Sequence, residues 1–142
     1  MRSRNAYPVA TLGVAVLLGS VVAAVPAHAG GGDFIEESGA CSMSSSWDMK
    51  AKHDTGRIEL ELSVDSNRLG QAWSVRLTDN GTLVFSGNRT TNGVSRSFSV
   101  DKMLKDRAGT DRFVARTTNT RTGEVCRAHV ALGAAGSSGG SG

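Results

Sequence analysis

The chain has 142 residues, of which 39% are hydrophobic and 20% are charged, and its formal net charge is +3. Two of the 16 basic residues, Arg2 and Arg4, belong to the amino-terminal segment, which leaves 14 basic residues against 13 acidic ones. The remaining chain is nearly neutral. The pI of about 9.2 for the whole sequence therefore does not by itself indicate a nucleic-acid partner. Its length suits one domain of about 100 residues with a single core.

The amino-terminal segment has the pattern of a secretory signal peptide. Two arginines precede an apolar run over residues 9–25, and the sequence Ala-His-Ala follows at 27–29. A membrane anchor is the alternative, because the apolar run is near the shortest length that spans a bilayer. The small residues directly after the run favour cleavage before Gly30, so we expect a signal peptide over 1–29 and export of the chain.

Two low-complexity segments flank the expected domain. Residues 30–40, GGGDFIEESGA, form an acidic Gly-rich lead-in, and residues 133–142 form a Gly/Ser-rich tail. Both are expected to be flexible. Residues 41–132 between them form the expected domain, where 14 basic residues outnumber 10 acidic ones.

Alternation of apolar and polar residues recurs in seven short runs of this domain, which is the pattern of antiparallel strands with one face on a core. The members expected to face the core are Trp47, Met49 and Ala51; Ile58, Leu60, Leu62 and Val64; Trp73, Val75 and Leu77; Leu83 and Phe85; Phe98 and Val100; Phe113, Ala115 and Thr117; and Cys126, Ala128, Val130 and Leu132. The sequence Asp-Asn-Gly at 79–81 predicts a tight hairpin turn. Segment 100–109 breaks the alternation and predicts one helical turn. The fold class is therefore all-β, a seven-stranded antiparallel immunoglobulin-like β-sandwich.

Cys41 and Cys126 are the two cysteines of the chain, and an even number in an exported protein predicts one disulfide. Because Cys41 precedes the first strand and Cys126 lies in the last, the bond would join the two ends of the domain. Free thiols or an intermolecular pair are the alternatives.

The sequences RAGTD at Arg107–Asp111 and TGEVC at Thr122–Cys126 carry a family resemblance. Over residues 41–132 the chain resembles small secreted proteins of actinomycete bacteria that have one immunoglobulin-like or fibronectin-like domain and a cysteine pair near its ends. The resemblance implies a fold and an extracellular location, and it implies no specific activity. The chain departs from true immunoglobulin domains in its disulfide, which joins the domain ends and not the two central strands.

The sequence has no motif of nucleophilic, metal-dependent or phosphate-binding catalysis. His53 is expected in a solvated hairpin turn and His129 on the outer face of the last strand, and with the two cysteines they give no metal-ligand spacing. Glu59 and Glu61 alternate on one strand, where Lys52 and Lys50 are expected to pair with them across the hairpin. We therefore expect neither an enzyme nor a cofactor or metal.

Arginines collect on one predicted surface. If the third, sixth and seventh predicted strands are neighbours, Arg76, Arg112, Arg116 and Arg127 share an outer face with His129. The guanidinium group suits carboxylates and phosphates, so we hypothesise that this face binds an anionic cell-envelope polymer or another extracellular protein. A solvated face that only keeps the sheet soluble is the simpler alternative. Nucleic acid is disfavoured because no aromatic residues alternate with these arginines.

A second class of function stays open, that of a small extracellular effector acting through a loop or a cleft between the sheets. An inhibitor would need a braced reactive loop, and the expected disulfide braces the domain ends. A carrier of apolar ligands would need space in the core, where four small residues are expected. These are Ala51, Ala72, Ala115 and Ala128.

Overall fold

The computed structural model describes residues 34–136, and every regular element in that range is a β-strand. The strands are β1 (Phe34–Ala40), β2 (Ser46–Asp54), β3 (Arg57–Asp65), β4 (Ala72–Asp79), β5 (Thr82–Thr90), β6 (Ser97–Lys105), β7 (Asp111–Asn119) and β8 (Val125–Leu132). The expected signal peptide, residues 30–33 of the lead-in and residues 137–142 of the tail lie outside the described residues. Within the described range, no helix is long and apolar enough to cross a membrane.

The strands form two four-stranded antiparallel sheets. Sheet 1 has the order β1-β2-β3-β6, and sheet 2 has the order β5-β4-β7-β8. Burial alternates along the strands as the sequence predicts: in β3, Leu60 and Leu62 are fully buried while Glu59 and Glu61 are exposed. The all-β, two-sheet prediction is therefore confirmed.

The number of strands is eight and not seven, because residues 34–40 of the expected flexible lead-in form β1. This strand pairs with β2 along its whole length, from Phe34 opposite Lys52 to Ala40 opposite Ser46. In β1, Ile35 packs against the core from a partly buried position. An edge strand with so little apolar alternation gives almost no signal in the sequence.

Residues 101–105 continue β6, so the expected helical turn is wrong. The ladder with β3 extends to Lys105 opposite Arg57. Leu104 packs against the core, and Met103 points outward with 43% of its surface exposed. The backbone N–H and C=O groups of this segment find hydrogen-bond partners in β3. A single helical turn would leave most of these groups unpaired.

A bulge between Leu77 and Thr78 shifts the register of the β4–β5 ladder. Phe85 lies opposite Leu77 and packs against the core, whereas Leu83 lies opposite Thr78 and is 45% exposed. The core position expected for Leu83 is wrong because a bulge moves the following residues to the other side of the strand. The core position expected for Ala72 is also wrong, since this residue is exposed.

The core lies between the two sheets. Trp73 and Phe113 are among its largest fully buried side chains, and the small residues packed with them include Ala51, Ala115 and Ala128. At Gly39 a Cβ atom would lie 2.8 Å from the ring of Trp47. Glycine at this position therefore lets the tryptophan ring lie against the backbone of β1.

The predicted disulfide between Cys41 and Cys126 joins residues separated by 85 positions, with their Cα atoms 4.3 Å apart. Directly after Cys41, the backbone N–H of Ser42 donates to the carbonyl oxygen of Val125 at 2.8 Å. The N–H of Val125 donates to Ser42 Oγ, also at 2.8 Å. The β1–β2 connection is thereby held to β8, which closes one edge between the sheets.

The carboxylate of Glu124 strengthens the same edge from a buried position. Its Oε1 accepts hydrogen bonds from the backbone N–H groups of Met43 and Ser45 at 3.1 and 2.8 Å. Its Oε2 accepts one from Ser45 Oγ at 2.8 Å. One side chain thus satisfies three donors of the β1–β2 connection, which has no ladder partner of its own.

Removing the disulfide with the double substitution Cys41→Ala and Cys126→Ala should lower the free energy of unfolding by up to about 4–5 kcal/mol, because the bond closes a long loop in the unfolded chain. Urea denaturation of the double variant and of the oxidised protein measures this loss. Equal stability of the double variant and the oxidised protein would contradict the assignment of the bond as the main constraint on the unfolded state.

Glu124→Ala should lower the free energy of unfolding by about 2–3 kcal/mol, since buried donors lose their acceptor. Glu124→Gln is the matched control. Its amide oxygen can accept from the two backbone N–H groups while its NH₂ donates to Ser45 Oγ, so its loss should be clearly smaller. The same denaturation experiment compares the two variants, and equal losses would argue that the hydrogen bonds do not hold this edge.

Candidate functional site

Three arginines form a straight line across sheet 2. Arg76 of β4 lies directly opposite Arg116 of β7, and Arg116 lies directly opposite Arg127 of β8. Ser86 of β5 continues the line on the far side of Arg76. We call Arg76, Arg116 and Arg127 the arginine row. The sequence predicted a shared face, and the register adds that the three side chains are immediate neighbours.

The outer face of sheet 2 carries no carboxylate. Its outward residues are Leu83, Ser86, Asn88 and Thr90 of β5; Ala72, Ser74, Arg76 and Thr78 of β4; Arg112, Val114, Arg116 and Thr118 of β7; and Val125, Arg127, His129 and Ala131 of β8. Like charges directly opposite each other destabilise a sheet. This face therefore keeps a mutual repulsion that a bound anion would relieve.

The four arginines of the face are exposed, and none of their guanidinium groups pairs with a carboxylate of residues 34–136. The ion pairs found among residues 34–136 join other groups, His53 with Asp106 and Arg107 with Asp79. Arg112 lies apart from the arginine row, near the start of β7 and opposite Ala131. The positive charge of the face is thus available to an external ligand.

His129 projects from the outer side of β8, as the sequence predicts, but its ring turns toward the closed edge. The ring centroid lies 5.7 Å from that of Trp47, with an angle of 49° between the planes. This contact covers one side of the imidazole. His129 therefore borders the candidate face and does not belong to the arginine row.

The outer face of sheet 1 has mixed charge. Lys50 lies opposite Glu61 and Lys52 opposite Glu59, in the register that the sequence predicts. These pairs surround a hollow of about 110 Å³. A larger hollow of about 390 Å³ lies further along the same sheet. It is lined by Ser38, Gly39, Ala40, Ser46, Trp47, Asp48, Ser63 and Asp65.

His53 is not the solvated turn residue that the sequence predicts. It belongs to β2, and its side chain is only 12% exposed. Its Nε2 lies 2.8 Å from the carbonyl oxygen of Gly133, so this nitrogen donates the hydrogen bond. Its Nδ1 lies 3.4 Å from Asp106 Oδ2. Both ring nitrogens thus contact the protein, and the side chain joins β2 to the β6–β7 connection and to the residues after β8.

Asp79 and Asp111 form a buried acidic pair that the sequence analysis missed. Their exposed fractions are 1% and 0%, and three of their four carboxyl oxygens have no hydrogen-bond partner. Arg107 Nε lies 3.4 Å from the fourth oxygen, Asp79 Oδ2. Burial, and next the negative charge of Asp79, raise the pKa of Asp111 to about 6. The strand parity of Trp73, Val75 and Leu77 continues to Asp79, so the inward position was readable from the sequence.

Metal ligation finds no support in this part of the chain: no group of three or more His, Cys, Asp or Glu side chains among residues 34–136 is arranged to hold an ion.

Comparison with known proteins adds no assignment, since the chain matches no family model, no curated protein and no solved structure.

Asp111→Asn should stabilise the protein increasingly as the pH rises. The folded-state pKa of Asp111 is raised to about 6, so its contribution to stability is complete below about pH 4 and is lost as the pH rises through 6. The asparagine variant has no carboxyl group at this position, so it does not lose this stability as the pH rises. Its free energy of unfolding relative to the natural chain should increase by about 2 kcal/mol from pH 4 to pH 7.5, since one pKa unit corresponds to about 1.4 kcal/mol.

Asp101→Asn is the control for this experiment, because Asp101 is an exposed carboxylate on the outer face of sheet 1. Urea denaturation at a series of pH values compares the two variants with the natural chain. Parallel pH profiles for Asp111→Asn and the natural chain would contradict the buried acidic pair.

Proposed function

We propose that this protein is a secreted, non-enzymatic binding domain that holds an anionic polymer of the cell envelope, or an acidic protein partner, on the outer face of sheet 2. The observation that carries the proposal is the arginine row on a face without carboxylates. Arginine presents a planar set of N–H donors that fits phosphate and carboxylate oxygens in pairs. The same face would be an electrostatic cost to the fold if nothing bound there.

An extracellular location is part of the proposal. The amino-terminal sequence has the pattern of a cleaved signal peptide. The disulfide between Cys41 and Cys126 is compatible with an oxidising compartment. An exported protein with an arginine-bearing face would meet the anionic components of the cell surface directly.

An immunoglobulin-like topology is also part of the proposal. Apart from the added edge strand β1, the sheets have the orders β2-β3-β6 and β5-β4-β7-β8. These orders correspond to A-B-E and C′-C-F-G in an immunoglobulin-like sandwich. Such domains commonly serve as rigid supports for a binding surface, and the function depends on that surface and not on the fold.

Replacing all four arginines of the face, Arg76, Arg112, Arg116 and Arg127, by glutamine should weaken binding to purified anionic cell-wall polymer at least tenfold at low salt. Binding of the natural chain should also weaken as salt rises, because bound anions displace counterions. Sedimentation of the labelled protein with the polymer at increasing salt concentrations measures both effects.

Sheet 1 supplies a charge-matched control. Lys50, Lys52, Arg57 and Lys105 lie on its outer face, and their replacement by glutamine removes the same number of positive charges. The proposal requires this control to retain binding. Equal loss in both variants would show that total charge and not the face attracts the polymer, and unchanged binding in the first variant would exclude the arginine face.

A further inference from the structure

The arginine row runs at right angles to the strands. Directly opposite residues of antiparallel strands have Cα atoms about 5 Å apart, so Arg76, Arg116 and Arg127 present positive charges at short, regular intervals. Arg112 is four residues from Arg116 on the same strand, a distance of about 14 Å. A ligand that follows the row meets three arginines in succession, whereas one that follows β7 meets two that are far apart.

The face is an open strand surface, and each arginine of the row is exposed. An exposed ion pair in water strengthens binding by a factor of about five at most, so a single small anion would be held weakly. A polymer with repeated anions engages the row several times, and each further contact forms at a high effective concentration. The geometry therefore suits a linear polyanion and not a small metabolite.

The residues beside the arginine row differ on its two sides. On one side, Asn88, Ser74 and Thr118 lie in a second line, with Ser74 opposite both of the others. We call these three residues the polar row. Hydroxyl and amide groups both donate and accept hydrogen bonds. On the other side, a line of four residues has two exposed apolar members, and it consists of Leu83, Thr78, Val114 and His129. Its polar groups already have partners, since Thr78 Oγ1 donates to the carbonyl oxygen of Val114 at 3.4 Å and the ring of His129 lies beside that of Trp47.

The polar row discriminates between kinds of polyanion. Its side chains point outward beside the arginines and can bond to hydroxyl groups on a ligand lying along the arginine row. A polymer of phosphodiesters joined by polyol linkers offers anions and hydroxyls in alternation. In a polyglutamate chain the groups that could bond to the polar row are the backbone amides, which lie at the far end of each side chain from the carboxylates that the arginines hold, so they fit the polar row less well.

We infer that the ligand of this face is a linear phosphodiester polymer with hydroxylated linkers, which lies across the strands along Arg76, Arg116 and Arg127 with its linkers on the polar row. This inference rests on the proposed function and specifies its ligand and orientation. Arg112 lies outside the ligand's path, and the row alone supplies the electrostatic contacts.

The decisive comparison uses two substitutions on one strand, Arg116→Gln at the centre of the arginine row and Arg112→Gln outside it. Both residues are exposed and both changes remove one charge. With a short synthetic poly(glycerol phosphate) as the probe, calorimetry at low salt should show affinity about fivefold lower for Arg116→Gln and less than twofold lower for Arg112→Gln, because one exposed ion pair contributes at most about that factor. The salt dependence should also become shallower for Arg116→Gln alone.

A second pair of measurements tests the linker. The double substitution Ser74→Ala and Thr118→Val should weaken binding of poly(glycerol phosphate) several-fold and binding of linear inorganic polyphosphate clearly less, because polyphosphate loses only donors to its oxygens and has no linker hydroxyl groups. Poly-L-glutamate of matched charge should bind the natural chain at least tenfold more weakly than poly(glycerol phosphate).

The outcomes separate this inference from the proposed function. Equal losses for Arg116→Gln and Arg112→Gln would overturn the orientation along the row while anion binding by the face remains. Equal or tighter binding of poly-L-glutamate would overturn the ligand class and favour an acidic protein partner. Absence of binding to every polyanion would overturn the proposed function itself.

Discussion

The contact between the β1–β2 connection and β8 is the constraint on which the two sheets depend. The disulfide between Cys41 and Cys126 and the carboxylate of Glu124 act there together, one as a covalent bond and one as an acceptor for three donors. Because β8 is the edge of sheet 2 and β1 the edge of sheet 1, the contact sets how the sheets meet at that side. The register of Arg127 in the arginine row is set separately, by the β7–β8 ladder.

Two features act against stability, and both lie in sheet 2. The arginine row places like charges side by side, and the buried pair of Asp79 and Asp111 places two carboxyl groups in a site that favours the protonated form of Asp111. The covalent bond and the core of large side chains such as Trp73 and Phe113 offset these costs. Of the two features, the exposed row alone can be relieved by a partner, which is why it carries the functional proposal.

Most of the strands were predictable because each combines strict alternation with a turn signal, as in β3 and in the hairpin around Asn80. The cysteine pair followed from the even number of cysteines in a chain expected to be exported, and the shared face of the arginines followed from strand parity. β1 was missed because one partly buried isoleucine does not make a pattern. Leu83 was misplaced because a bulge cannot be read from alternation, and His53 because its partners, Asp106 and Gly133, come from distant parts of the chain.

The sequence by itself determined the all-β class, the disulfide and the outward direction of Arg76, Arg112, Arg116 and Arg127, since these depend on local alternation and on residue chemistry. Only the tertiary structure decided which arginines are neighbours. A shift of a strand by two or four residues preserves the parity of every side chain but changes its partner, and a shift of four would exchange Arg112 for Arg116, so alternation cannot distinguish them as members of the row. Pairing between β4, β7 and β8 selects Arg116, because long-range backbone hydrogen bonds and core packing set the register.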